Sequence, residues 1–359
     1  LYGTNSYPSI TKLNYLSNEE STGYQNSFSL SVIQPLLKNF FGKLDRYPKK
    51  RARLAEKIQK IYFTEDQEKK KYNAINLYLN WLFLVRQEKI LTEIVSNNKR
   101  VLYQTNRKFK SGIADRADLE AARGNVYYYE NQLIKVKYDL KEILNEMNIF
   151  MTINADDEPD FSLLEKKYKL AQKNNVKNLR SYQMVHLTQK QIHLDLNAAK
   201  NKRFPNLDLI LKYQLSGSSD TFGKSYKELG TYEAYAGFQF SLPLGNSDVK
   251  GQLKTIRANR KKNNLEIQKT FEKIEKNQKN LSYYFEQQLK MIEKQSQYVG
   301  ALRRKLASQN KKYRQGNLVF SEVIRTMNDL ANARLDITNR LVIYQQIYFQ
   351  YLELNDLLL

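Results

Sequence analysis

Lys108-Phe109-Lys110-Ser111-Gly112 and Lys312-Tyr313-Arg314-Gln315-Gly316 are two versions of one signal, a basic and aromatic end to a long helical pattern, closed by glycine. Glycine tolerates the left-handed backbone that ends a helix, so each run marks the tip of a helical hairpin. Upstream of each, an alternating stretch stops at a proline. Phe28-Ser29-Leu30-Ser31-Val32-Ile33-Gln34-Pro35-Leu36 does so in the first half, and Phe238-Gln239-Phe240-Ser241-Leu242-Pro243-Leu244 in the second. Pro35 lies 77 residues before Gly112, and Pro243 lies 73 before Gly316. Two landmarks in the same order at nearly equal spacing predict an internal twofold repeat.

The arms on either side of the glycines step by three and four. Leu119, Ala122, Val126, Tyr129, Leu133, Val136, Leu140, Ile143, Met147 and Phe150 are all apolar or aromatic. The preceding arm runs through Leu77, Trp81, Leu84, Leu91, Val95 and Leu102 with Glu88, Asn98 and Thr105 interspersed. The third carries Ile267, Phe271, Ile274, Leu281 and Phe285, with Gln278, Gln288 and Gln295 at the same spacing, and the last runs from Val323 to Tyr351. A period of 3.5 held this long predicts helices packed side by side in antiparallel coiled-coil fashion. The arm from Pro35 to Phe109 would be on the order of 110 Å long at 1.5 Å per residue, which predicts a tube or stalk.

Composition agrees. Thirteen Gly and six Pro in 359 residues leave few turns, so the elements are long. Cysteine is absent, which removes disulfides, thiolate metal sites and cysteine nucleophiles. The chain starts at Leu1 rather than Met, and is expected to be processed or trimmed. The most apolar stretch, Leu77 to Val85, is about half the ~20 residues of a spanning helix, which excludes an inner-membrane helix but not a membrane β-barrel. The 59 basic residues exceed the 37 acidic ones by 22, a surplus that suits a polyanion such as anionic lipid or simply a solvated helical exterior.

Strand patterns precede each long helix. Leu207, Leu209, Leu211, Tyr213 and Leu215 share a face, as do Ala234, Ala236, Phe238, Phe240 and Leu242, while Phe28, Leu30 and Val32 oppose Ser27, Ser29 and Ser31. The run from Ser9 to Leu16 is a weaker strand, and Tyr213, Tyr232 and Tyr235 are candidates for an interfacial belt. About ten residues is the length that crosses a bilayer at a tilt. Four strands cannot close a barrel, and lipid forbids open strand edges, so several chains must share one wall. The predicted organisation is a first β-hairpin over 1–35, a helical hairpin over 36–150 and an intervening region with a helix over 151–203. A second β-hairpin over 204–244 and a second helical hairpin over 245–359 complete it.

This order resembles the TolC-like outer-membrane efflux and secretion channel family over nearly the whole chain. The most specific pieces are Arg107-Lys108-Phe109-Lys110-Ser111-Gly112-Ile113 with Asp118-Leu119 and Ala122-Arg123, and Tyr313-Arg314-Gln315-Gly316 with Glu322-Val323. The stretch Phe204-Pro205-Asn206-Leu207 and the strand-ending Pro35 and Pro243 also match. The resemblance implies a mixed α and β fold: an α-helical tunnel, plus four strands per chain in a 12-stranded trimeric transmembrane barrel. It implies a homotrimer in the outer membrane of a Gram-negative bacterium, in contact with lipid and lipopolysaccharide. The tips, at Phe109, Gly112, Ile113, Gly316 and Leu318, would meet a periplasmic adaptor and an inner-membrane transporter. Asp118 and Glu322, each six residues after a tip glycine, would line the periplasmic aperture with Tyr313. Family members carry Arg and Asp where this chain has Leu318 and Arg325, so the closing network is expected to be wired differently.

No catalytic constellation, cofactor or metal site is expected. His186 and His193 lie seven apart on one helix, where a metal pair prefers three or four, so they are read as packing or surface residues. Nucleic acid is not an expected partner. A soluble basic coiled-coil scaffold binding polyanions is the alternative, but it leaves the proline-ended strands unused. A periplasmic adaptor would show one long hairpin rather than two. The cargo is not legible.

Overall fold

The computed structural model describes residues 24–149, 159–227 and 229–359. Its elements run β1 (Tyr24–Pro35), α1 (Arg46–Lys110), α2 (Arg116–Met147), α3 (Ser162–Glu165), α4 (Arg180–Asn201) and β2 (Asn206–Ser219). Then come α5 (Phe222–Lys227), β3 (Thr231–Ser241), α6 (Ser247–Arg314) and α7 (Phe320–Leu354). The protein is mostly helical with a small antiparallel sheet. The strand expected over Ser9 to Leu16, the loop after it and Asp156-Asp157-Glu158 lie outside the described residues. No described helix is long and apolar enough to cross a membrane.

The chain divides into two units. The first joins the described residues up to Lys60 to Met184–Gln268, and the second joins Ile61–Gln183 to Lys269–Leu359. In the first unit the strands lie in the order β1-β2-β3, all antiparallel. The strand of the first half therefore hydrogen-bonds directly to the second half's pair, a partnership the hairpin reading did not foresee. Its register sets Leu30 opposite Tyr213 and Val32 opposite Leu211, and β3 sets Ala234 and Ala236 against the same two residues. The polar stretch between β2 and β3 holds α5, tied to β1 by the Asn26 amide donating to the Ser225 hydroxyl and by the edge-on rings of Tyr24 and Phe222. Leu196, Ala199 and Leu253 pack α4 on α6.

In the second unit the core takes in stepped residues such as Trp81, Leu91, Val95, Tyr129, Val136, Ile143 and Met147, but α1 also buries Leu79, Leu82, Ile90 and Ile94, which the stepping passed over. Leu79, Trp81 and Leu82 of α1 meet Ile143 and Met147 of α2 and Val342 of α7. A turn or more along, Ile90, Leu91, Ile94 and Val95 meet Tyr129, Val136 and Ala331. Burial pushes the Tyr129 hydroxyl up to about 12. The glutamines at seam spacing reach across the seam. Gln288 Nε2 donates to the Arg340 carbonyl at 3.0 Å and Gln295 Nε2 to that of Ala333 at 3.2 Å. A long side chain thus satisfies a neighbouring helix's backbone without leaving its own amide unpaired.

The segment that breaks the stepped pattern, 166–175, has no regular structure and is strapped to α7. Tyr344 Oη accepts from the Tyr168 amide at 2.8 Å, the Tyr168 ring stacks on Tyr348 at 3.9 Å, and Tyr351 Oη donates to the Ala171 carbonyl at 2.9 Å. Gln345 Nε2 donates to the carbonyls of Leu164 and Lys166, and Asn355 holds Asn174 and Gln278. Beyond the strap, Arg180 inserts among Glu65, Glu68 and Asp356. Glu68 is 1 % exposed and also accepts from the Leu358 amide at 2.9 Å. Three carboxylates at this spacing could hold a cation, but the guanidinium already supplies the charge.

Removing a guanidinium from such a cluster strands buried charge. Arg180→Met is expected to lower stability by about 3–5 kcal/mol in chemical denaturation, whereas Arg51→Met, whose partner Asp195 is more open, should cost about 1 kcal/mol or less. Burial raises the pKa values of Glu65, Glu353 and Asp356, with mutual repulsion adding at Glu65 and Glu353. An acid with a raised folded value carries an ionisation penalty at neutral pH that vanishes as pH falls through that value toward the ordinary carboxylate range. Glu353→Gln should therefore raise the thermal midpoint at pH 7.5 and leave it unchanged at pH 4.

Candidate functional site

The sheet has two chemically distinct faces. In register, Phe28-Leu215-Tyr232, Leu30-Tyr213-Ala234 and Val32-Leu211-Ala236 run across one face, continued by Leu209-Phe238 and Leu207-Phe240. The other face carries Ser29-Gln214-Glu233, Ser31-Lys212-Tyr235 and Asp208-Gln239, with Ile33 and Ile210 beside Gly237 as its apolar exceptions. The apolar face is largely open: Phe28 is 62 % exposed and Phe238 71 %. Tyr213 and Tyr232 stand on that face. Tyr235 does not, because it folds over the bare backbone of Gly237 on the polar side, where a Cβ would collide with its hydroxyl.

Prolines sit at the strand ends. Pro35 is the last residue of β1, Pro205 directly precedes β2, and Pro243 follows β3 by two residues. The turn after β1 is pinned by Asn39, which adopts φ 64°. Its side chain accepts from the Leu44 amide at 2.7 Å and donates to Asp45, while its own amide donates to Asn201 Oδ1 at 2.9 Å.

The two helical tips share one backbone solution. Gly112 has φ 72° and Gly316 φ 78°. The Gly112 amide donates to the Phe109 carbonyl at 3.0 Å and the Ile113 amide to that of Lys108 at 2.9 Å. The Gly316 and Asn317 amides repeat this with Tyr313 and Lys312 at 3.1 and 3.0 Å. This pair of bonds satisfies carbonyls that a helix end leaves open and requires a left-handed residue at the glycine. Ile113 is 74 % exposed, Phe109 lies at the surface, and Leu318 is half-buried. The next helices then start differently. Asp115 caps α2 by accepting from the Asp118 amide at 2.7 Å, whereas Val319 caps α7 with no side-chain bond.

Asp118 and Glu322 occupy the same third position of their helices, where a negative charge favours the helix dipole. Asp118 is half-buried; Glu322 and Arg325 are exposed, and no ion pair joins them among the described residues. Tyr313 stacks under Lys108, whose ammonium lies 3.9 Å from the ring centroid. Beside this pair a cleft of about 630 Å³ is lined by Arg100, Arg107, Lys108, Arg314, Val323 and Met327 among others, and by no carboxylate. This basic lining was not foreseen; its signal was the crowd of cations in the last turns of α1 and α6, which suits a helix C-terminus. His186 and His193 both line a separate cleft of the first unit.

Residues 12–148 match the family described as outer membrane efflux protein. No curated protein sequence matches significantly. Among solved structures, the CmeC outer membrane channel of Campylobacter jejuni is 15 % identical, covers 97 % of this chain and 75 % of its own, and superposes with a TM-score of 0.73. The outer membrane protein VceC of Vibrio cholerae gives 13 %, 97 %, 85 % and 0.74. The open-state MtrE outer membrane channel of Neisseria gonorrhoeae gives 16 %, 100 %, 81 % and 0.65. The fold read from the sequence is thus that of the TolC-like channels.

The unequal caps have a measurable consequence. Val319→Asp supplies an acceptor for the first-turn amides of α7 and is expected to stabilise that turn by about 1 kcal/mol; Asp115→Ala should weaken the first turn of α2 by a similar amount. Amide hydrogen exchange of residues 116–119 and 320–323 reads both.

Proposed function

We infer that this chain, TolC-like in fold and matching the outer membrane efflux protein family across residues 12–148, is a channel of the outer membrane that extends into the periplasm. The observation that carries the reading is the two-faced sheet. An open apolar face of this size beside a polar one is what a barrel wall presents to lipid and to a water-filled lumen. The described strands bond only to one another, in the order β1-β2-β3, so their outward edges call for neighbours.

Three chains, each giving β1, β2, β3 and the strand expected over Ser9 to Leu16, would close a 12-stranded barrel. A second apolar stripe on the helices supports neighbours too. Tyr127, Ile134 and Tyr138 of α2, and Tyr284, Met291 and Tyr298 of α6, are exposed at near-heptad spacing and lie off the buried seams. They would form the contacts between subunits of a helical tunnel. The tips around Phe109, Gly112, Ile113, Gly316 and Leu318 would dock a periplasmic adaptor and, through it, an inner-membrane transporter, in a tripartite efflux pump or type I secretion system. Asp118 and Glu322 would ring the aperture, with Tyr313 and Arg325 setting how it closes. The activity is conduction rather than catalysis.

Lipid-face and lumen-face substitutions should separate. Ala236→Lys places a charge on the apolar face and is expected to cost about 2–4 kcal/mol near the bilayer midplane, blocking membrane assembly. Gln214→Lys on the other face should assemble normally. In planar bilayers the parent should give low conductance, and Asp118→Asn with Glu322→Gln should relieve block by divalent cations. A chain that stays monomeric and soluble without detergent would overturn the channel and favour the scaffold.

A further inference from the structure

The surplus of positive charge is not spread evenly. Residues 46–60 of α1, 184–203 (most of α4 and the two residues after it) and 247–268 of α6 carry net charges of +6, +3 and +4, more than half of the chain's +22. All three segments belong to the first unit, and each adjoins a strand: α1 follows β1, β2 follows α4, and α6 follows β3. The cations therefore collect where the sheet passes into helix.

They also surround a cleft. Lys50, Arg53 and Lys57 stand on one face of α1 at intervals of three and four, His186, Lys190 and His193 on one face of α4, and Arg260 on α6. Leu54 and Leu194 line it as well, and the lining is largely carbon, to which the stems of the long basic side chains contribute. The cleft is about 710 Å³, and no carboxylate lines it. The nearest acids are engaged elsewhere. Asp195 accepts from Tyr47 Oη at 2.5 Å and from Arg51 Nε at 3.2 Å, and Glu56 pairs with Lys60 at 2.8 Å while feeling Arg53 and Lys57 more weakly. None of the five cleft cations is in a salt bridge among the described residues. Contacts across the cleft hold its walls: Tyr47 and Arg51 tie α1 to α4 through Asp195, and Gln189 Nε2 donates to Asn264 Oδ1 at 2.8 Å between α4 and α6.

Five unneutralised cations repel one another unless an anion joins them, and carbon walls favour an anion that brings apolar mass. We propose that this cleft seats the phosphate head of an anionic membrane lipid, with Lys50, Arg53, Lys57, Lys190 and Arg260 around the phosphate and the first acyl carbons against Leu54 and Leu194. The choice of a lipid over a free phosphate rests on the membrane reading of the adjoining sheet. Each Lys or Arg near an anionic surface adds to the attraction.

The test uses the full-length protein purified in a neutral detergent, with native mass spectrometry and titration by short-chain phosphatidylglycerol. Phosphatidylcholine of the same chain length and inorganic tripolyphosphate are the comparison probes. Phosphatidylglycerol is expected to bind at least tenfold tighter than phosphatidylcholine, with affinity falling as salt rises. Arg53→Gln with Arg260→Gln, both solvent-exposed and outside the core, should lose about tenfold. Lys305→Gln with Lys311→Gln, which removes equal charge from the second unit, should lose nothing. Equal binding of the two lipids, an unchanged double variant, or tripolyphosphate binding as tightly as the lipid would each overturn the site. Bilayer conductance of the same preparation keeps the two claims apart: a conducting parent with no lipid preference refutes the cleft alone, and a non-conducting one refutes the channel.

Discussion

A strand must pair both its edges or keep them in water, and that constraint governs this molecule. The sheet formed by β1, β2 and β3 places most of its apolar side chains on one open face and most of its serines, glutamines and charges on the other. If the apolar face met water it would expose a patch far beyond what scattered surface residues explain. If it meets lipid, hydration of the outer edges is lost and further strands must cover them. Under the channel reading proposed above, closure with other copies would satisfy the backbone and the side chains together.

The helices answer a related problem by different means. A helix of 65 or 68 residues has more surface than one seam can bury. On α6 one stripe is buried within the chain and a second, at Tyr284, Met291 and Tyr298, is left open, as it is at Tyr127, Ile134 and Tyr138 of the shorter α2. The buried stripe is not purely apolar. Gln288 and Gln295 bond to carbonyls of α7, and Asn98 and Thr105 bond back to their own helix at Ile94 and Val101. The glutamines tie α6 to the backbone of α7, while Asn98 and Thr105 satisfy their polar groups within α1, so no buried donor is stranded.

Much of this was legible in the residues. The stepped apolar positions from Leu119 to Met147 became the buried face of α2, and the glycines at 112 and 316 took the left-handed conformation their positions demanded. Alternation alone sorted the faces of β2 and β3. Three features escaped. The lateral bond of β1 to β2 joins residues some 180 positions apart, and nothing local encodes which strands meet. The strap over 166–175 has no periodicity, since it is held by tyrosine and glutamine side chains of α7 and by Asn355 just beyond it rather than by its own backbone. The Glu68–Arg180 contact has no local signature in sequence, because burial of a carboxylate depends on what folds over it. The roles of Asp118 and Glu322 were read from family resemblance, and their shared place in the first turn of α2 and α7 is compatible with helix capping as well as with an aperture.

The two tips separate what backbone geometry enforces from what side chains are free to vary. Both turns use the same pair of amide-to-carbonyl bonds around a glycine, and neither could keep them with a β-carbon at that φ without strain. Outside that requirement the tips agree in part, as at Lys108 and Lys312, and differ in part: Asp115 caps one helix where Val319 caps the other, and Ile113 answers to Asn317. A reversal of direction is thus held constant while its chemistry is open to change. A surface that must fit a partner can alter its side chains one at a time, provided the glycine beneath them stays.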